Sequence, residues 1–195
     1  MNFSELCFRM TSFTTQESIP KSCFIPHLWR NDLVELGKVS ENFMVEVSEG
    51  KVSYTMQVAV NKVLVEGNYD LILSLGQVVP HEVIGIANYT KNILIGFGGG
   101  DTIHKSHFLG AAYGMESMMG HFETPVRKVL NHGFNTYLGH LPIEFVFTIM
   151  QKVGDDVLMR GLFYGKDEKA FEEAARLSQQ VNLDLLDKPI KKAVA

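Results

Sequence analysis

Apolar and polar positions change their spacing several times along this chain, and each change marks an element. Residues 1–24 are rich in Ser and Thr and hold no sustained period, so they read as an irregular N-terminal arm. Residues 43–47 and 52–60 are β-branched runs joined by Ser48-Glu49-Gly50-Lys51, which predicts a hairpin. In the second run Val52, Tyr54, Met56, Val58 and Val60 alternate with mostly polar residues, as in a strand with one exposed face. Residues 61–66 suit a short helix. Residues 71–75 are an apolar run of strand length ending at Gly76, the pattern of a buried parallel strand. A similar run at 93–97 ends in Gly98-Gly99-Gly100, and Asp101 or Thr102 would cap the helix beyond it.

Pro125 suits the first turn of another helix, reaching about Asn131. Residues 143–152 and 157–164 read as strands around the turn Gly154-Asp155-Asp156. The clearest helix is 167–181, with Asp167 as cap and Ala170, Phe171, Ala174, Ala175 and Leu177 on one face. Residues 182–186 and 190–195 then look like a turn and a strand. Strands alternating with helices predict an α/β fold, a layered sheet with flanking helices, whose core spans 25–195.

Composition narrows the setting. At 195 residues the chain suffices for one substantial domain, and 46% hydrophobic with 21% charged residues is ordinary for a globular protein. No run approaches the ~18 apolar residues of a membrane helix. A net charge of −4 with scattered basic residues argues against a nucleic-acid surface. Cys7 and Cys23 are too few and too far apart for a disulfide framework or a zinc cluster, so reduced thiols in a cytoplasmic protein are expected.

Among seven histidines, two have a distinctive setting. His81 follows the apolar run and Gly76-Gln77-Val78-Val79-Pro80, where an open α/β sheet places its ligands. Lys91 comes ten residues later, and His107 sixteen beyond that, early in the helix after the triple glycine. Neutral imidazoles serve as acid/base groups and as metal ligands, and a deprotonated lysine forms covalent links to carbonyl-bearing cofactors. Together they suit a metal-assisted or covalently anchored cofactor. The plainer alternative is a set of unconnected surface or hydrogen-bonded side chains. His104 and His107, three apart on a helix, would share a face and hold a metal such as zinc, but no third ligand is dictated. The triple glycine resembles a phosphate loop without the ending of a P-loop, and a plain strand-to-helix turn is the better reading of it.

The segment from Gly76 to Gly85 with Pro80-His81-Glu82, then Lys91, then Ser106-His107-Phe108-Leu109-Gly110-Ala111 and Thr124-Pro125-Val126-Arg127, resembles the lactate racemase family in order and spacing. The resemblance covers roughly residues 25–192. It implies a 2-hydroxyacid racemase or epimerase that works by reversible hydride transfer to a nickel-pincer nucleotide. Lys91 would be the covalent tether, His107 a nickel ligand and His81 one acid/base. The second acid/base would be His27, in His27-Leu28-Trp29-Arg30-Asn31-Asp32 before Leu36-Gly37.

Three departures accompany the resemblance. Many relatives carry Ser-Gly-Gly before the lysine, where this chain has Ile86-Ala87-Asn88-Tyr89-Thr90. The family's upstream segment with a carboxylate-binding arginine is absent, and so is its second domain. The expectation is therefore the core of a racemase, inactive as this chain alone, with a small 2-hydroxy acid as the parent's substrate. Exposed sheet edges or domain faces would invite self-association. The competing expectation is a non-catalytic fragment that binds a nucleotide or a partner chain.

Overall fold

The computed structural model describes residues 24–184. The expectations for the arm (Phe24 apart), for both cysteines and for a strand at 190–195 fall outside the described residues, as do residues 185 and 186 of the expected turn.

The first departure from the sequence reading comes early. Strands β1 (Leu33–Val39) and β2 (Met56–Asn61) pair antiparallel, and α1 (Glu41–Val47) lies between them in place of the expected hairpin. Ser40 is the local cause. Its Oγ accepts the Phe43 N–H at 3.3 Å, satisfying one of the donors that a first helical turn leaves free. With Met44 buried beneath the helix, capping and packing outweigh the β preference of Phe43, Val45 and Val47. Ser48-Glu49-Gly50-Lys51 then ends the helix, with Ser48 Oγ bonded to the backbone of Val52. In β2, Val58, Ala59, Val60 and Asn61 are all buried, so both faces are covered rather than one.

The short helix α2 (Val63–Glu66) leads into β3 (Ile72–Gln77), followed by the two-residue strands β4 (Pro80–His81) and β5 (Gly85–Ile86). The run expected as a strand at 93–97 instead follows the start of a helix, α3 (Thr90–Leu94). There the carbonyl of Lys91 accepts the N–H of Ile95 and of Gly96, and the chain returns to β2 through Asn61 N–H to Phe97 carbonyl. Helix α4 (Gly100–Tyr113) is capped by Gly99, not by Asp101 or Thr102. Those two side chains bind the backbone of Gln57: Asp101 Oδ2 accepts its N–H at 2.7 Å and Thr102 Oγ1 donates to its carbonyl at 2.7 Å. They fasten the helix to the open edge of β2, a use that satisfies strand groups rather than helix groups.

After α5 (Met115–Met118), helix α6 (Pro125–Tyr137) runs a turn and a half beyond the expected end. It buries Val126, Val129, Leu130 and Phe134 in the single core that joins both halves of the molecule. Strands β6 (Ile143–Val153) and β7 (Asp156–Gly165) and helix α7 (Glu168–Asn182) match the sequence reading closely, including Asp167 as cap through Oδ1 to Ala170 N–H.

The main sheet has the order β3-β6-β7, parallel between β3 and β6 and antiparallel between β6 and β7. Phe145, Phe147 and Ile149 point to the core, against Phe171, Ala174 and Ala175 of α7. The other face is bare. Leu75, Val146 and Tyr164 stand in one cross-strand row, and Gln77, Thr148 and Leu162 in the next. Leu75, Leu162 and Tyr164 are each about 60% exposed. The expected parallel strand therefore exists, but with one face uncovered. Among the described residues no helix is long and apolar enough to cross a membrane.

Candidate functional site

His81, Lys91 and His107 meet. They line one recess of about 190 Å³, whose walls are completed by Val83, Ile84, Ile95, Ser106, Val126 and Leu130. Three separate elements deliver them. His81 ends β4, Lys91 stands in the first turn of α3, and His107 is midway along α4. Two glycines allow the close approach. A Cβ on Gly85, at φ +89°, would lie 1.8 Å from the carbonyl oxygen of His121, and one on Gly110 would lie 3.0 Å from Val83.

Each group is conditioned by its surroundings. Lys91 is half-buried, and loss of hydration lowers its pKa first, helped by the Arg127 charge and opposed by Glu82. Its amine is thus shifted toward the neutral, nucleophilic form. His81 is also lowered, chiefly by burial, then by Lys91, with Glu82 pulling the other way and His107 and Arg127 adding to the lowering.

The two imidazoles are held in opposite tautomers. His81 Nδ1 accepts the N–H of Val83 at 3.1 Å, which leaves the proton of the neutral ring on Nε2. His107 Nδ1 lies 2.6 Å from the carbonyl oxygen of Ile103, to which it donates, so its Nε2 keeps a free lone pair. His107 is exposed on the open side of the recess. One ring thus presents an N–H at Nε2 and the other a lone pair.

Behind Lys91 the chain makes an unusual turn. Asn88 and Tyr89 have φ of 86° and 59°, a left-handed region that disfavours side chains. They fall within residues 86–90, the stretch in which the resemblance expects Ser-Gly-Gly. Tyr89 is accommodated because its ring fills an aromatic compartment, T-shaped on Phe145 at 4.7 Å and stacked on Phe171 at 5.3 Å. Burial, with Glu168 adding to it, pushes the Tyr89 hydroxyl up to about 12. The turn is gripped by Arg127, which is 1% exposed. Its guanidinium donates to the carbonyls of Ile86 and Asn88 and to Thr90 Oγ1. Sequence reading registered Thr124-Pro125-Val126-Arg127 only as a matching string. The signal of a role was an arginine on the apolar face of a helix.

His27 stands elsewhere. Its Nε2 lies 3.1 Å from the carbonyl oxygen of Gly98, its Nδ1 3.0 Å from Asn61 Nδ2, and its ring beside Phe97. It is not among the residues lining the recess. Among the described residues no group of three or more His, Cys, Asp or Glu side chains is arranged to hold a metal, so His104 and His107 gain no third protein ligand there. The triple glycine forms the bridge to Val60 and the start of α4, the plain turn of the two readings.

Two solved structures share this architecture. A protein from Thermotoga maritima superposes with a TM-score of 0.77 at 23% identity, over 87% of this chain and 42% of that one. The lactate racemase apoprotein from Thermoanaerobacterium thermosaccharolyticum superposes with a TM-score of 0.60 at 17% identity, over 85% of this chain and 35% of that one. At such identities the likeness is one of fold, and the chain spans less than half the length of either structure. No curated protein sequence matches it. The model of the lactate racemase N-terminal domain, however, matches residues 17–120, more than half of the chain and a stretch that holds His81, Lys91 and His107. The chain belongs to the lactate racemase N-terminal domain family.

Proposed function

We propose that this chain is the cofactor-bearing core of a 2-hydroxyacid racemase or epimerase, with Lys91 as the covalent tether, His107 as a nickel ligand and His81 as an acid/base. The observation that carries the reading is the convergence of one amine and two imidazoles, far apart in sequence, on a single recess. The donor set fits a nickel-pincer nucleotide in a specific way. His107 offers one free lone pair, which suits a metal that brings its other donors with the cofactor.

When bound, the group supplies the site that accepts and returns the substrate hydride. The protein's own part is placement and proton transfer. Lys91, biased toward its neutral form by burial, offers the amine for an amide-type link. His107, fixed by Ile103, offers Nε2 to the metal. In this tautomer His81 would donate an Nε2 hydrogen bond to the 2-hydroxyl oxygen, and to take that oxygen's proton the ring must release the Val83 contact so that an unprotonated nitrogen faces the substrate. Inverting a stereocentre needs a second proton carrier on the opposite face, a role the resemblance gives to His27. Here His27 bridges Gly98 and Asn61 outside the recess, so the described residues present one of the two carriers there.

The test is intact-mass analysis of chain recovered from cells that make the cofactor, paired with a panel of enantiopure 2-hydroxy acids. A cofactor-sized adduct that disappears in Lys91→Ala, with change of configuration in at least one acid by the cofactor-loaded parent, is the expected result. An adduct without turnover on any acid would favour the second reading, a nucleotide-binding chain without catalysis. No adduct at all would overturn both.

A further inference from the structure

We infer that Arg127 is the positioning residue of the site: it holds the left-handed turn at Asn88 and Tyr89 that delivers the Lys91 amine into the recess. The inference rests on the assignment of Lys91 as tether, but its observations are separate from it. Arg127 is the largest fully buried side chain among the described residues, yet it lies within hydrogen-bond reach of no carboxylate. A guanidinium with no hydrogen-bonded acid, Glu168 acting on it only through space, is costly to bury, and such a group persists where its donors are used for something. Here Nη1 and Nη2 donate to the turn, while Nε has no partner.

The carbonyls of Ile86 and Asn88 are drawn inward by one guanidinium plane, and Thr90 Oγ1, the side chain just before Lys91, is held by the same group at 3.3 Å. Thr90 passes the contact on to Asn131 Oδ1 at 2.7 Å, which ties the turn to the middle of α6. The other face of the guanidinium lies 4.4 Å above the Phe171 ring, the ring on which Tyr89 stacks. Arg127 therefore braces both residues that the backbone would otherwise reject. Lysine cannot replace it, because an ammonium is one point of contact and the turn needs a planar fork reaching two carbonyls and a hydroxyl.

The experiment uses the chain as it stands, free of cofactor, so that it does not depend on racemisation. Reductive methylation with formaldehyde is followed by peptide mass spectrometry, and labelling of Lys91 is taken as a ratio to that of exposed Lys152. The wild-type chain should label Lys91 ahead of Lys152. Arg127→Ala should cut the ratio at least fivefold, about 50 mM guanidinium should restore most of it, and the same concentration of sodium should not. Arg127→Lys, the milder change, should resemble Arg127→Ala. A ratio within twofold of wild type in either variant, with native circular dichroism, would overturn the inference. So would failure of guanidinium to change the ratio in a folded Arg127→Ala chain. If the adduct test above fails while this one succeeds, the tether reading is wrong and the bracing of the turn still stands.

Discussion

The rings of Tyr89 and Phe171 lie stacked 5.3 Å apart, with 15° between their planes. One ring belongs to a turn in a left-handed conformation and the other to the helix behind the main sheet, so backbone strain at the site is offset by core packing in the same few ångströms. Tyr89→Gly would relax the backbone but empty the compartment. Loss of a buried aromatic costs ~3–5 kcal/mol and the relief of one strained residue returns ~1–3 kcal/mol, so a net loss of about 2 kcal/mol is expected. Tyr89→Phe should stay near wild type. Urea denaturation midpoints measure both.

Gly85 has no such compensation. At φ +89° and with a carbonyl oxygen 1.8 Å from any Cβ, Gly85→Ala cannot be absorbed by side-chain movement. The backbone strain alone is ~1–3 kcal/mol, and the clash adds to it. The expected outcome is a sharp fall in soluble yield, or a urea midpoint lowered well beyond that of an alanine placed at Gly50, where nothing stands within 4 Å.

His27 offers a test of whether it is more than a strut. It links Gly98 to Asn61, two part-buried hydrogen bonds that join the triple glycine to β2. At ~0.5–1.5 kcal/mol each, His27→Ala should cost about 2 kcal/mol, read by chemical denaturation. A loss of racemisation in the loaded parent beyond what this instability explains would add the proton-carrying role.

Stability should also depend on pH through His81. Burial, foremost, and the neighbouring Lys91 hold its folded pKa below the ordinary 6.5. The unfolded chain therefore binds the proton more tightly, and stability falls as pH drops through about 6.5, the full loss being reached below the folded value. His81→Asn should flatten this part of the profile, measured as denaturant midpoints between pH 8 and 5. Equal slopes in both proteins would contradict the expectation.

Long, strongly patterned segments were legible in the sequence. The β6–β7 hairpin and α7 follow from alternation, a turn and a cap at Asp167 that tertiary contacts only reinforce. The misreadings share a cause. At 43–47 and 93–97 the apolar runs are short, and short runs carry no period that separates strand from helix. There a single cap, Ser40, or a turn held from another helix, by Arg127, makes the choice. Strand β1 left little trace because Glu35, Gly37 and Lys38 interrupt its apolar positions and its partner lies across an intervening helix. The site was legible as three chemically capable side chains at set spacings. Their support was not: the tautomers are fixed by backbone groups of Val83 and Ile103, and no composition or period reveals those contacts.

The bare face of the main sheet can be probed directly. Leu75→Lys and Leu162→Lys, both at positions about 60% exposed, should leave the urea midpoint within about 0.5 kcal/mol of wild type, as surface changes do. Binding of a fluorescent apolar dye should fall in the double variant. Unchanged dye signal would show that this face is not what the dye reads.

The contact between Gly110 and Val83 has a wider bearing. With no side chain between them, the helix that carries one imidazole and the loop that carries the other are separated by little more than the thickness of two backbones. The distance between the two imidazoles is thus dimensioned by a hydrogen atom. Lengthening it by one methyl group would leave every reactive residue in place and still detune the pair.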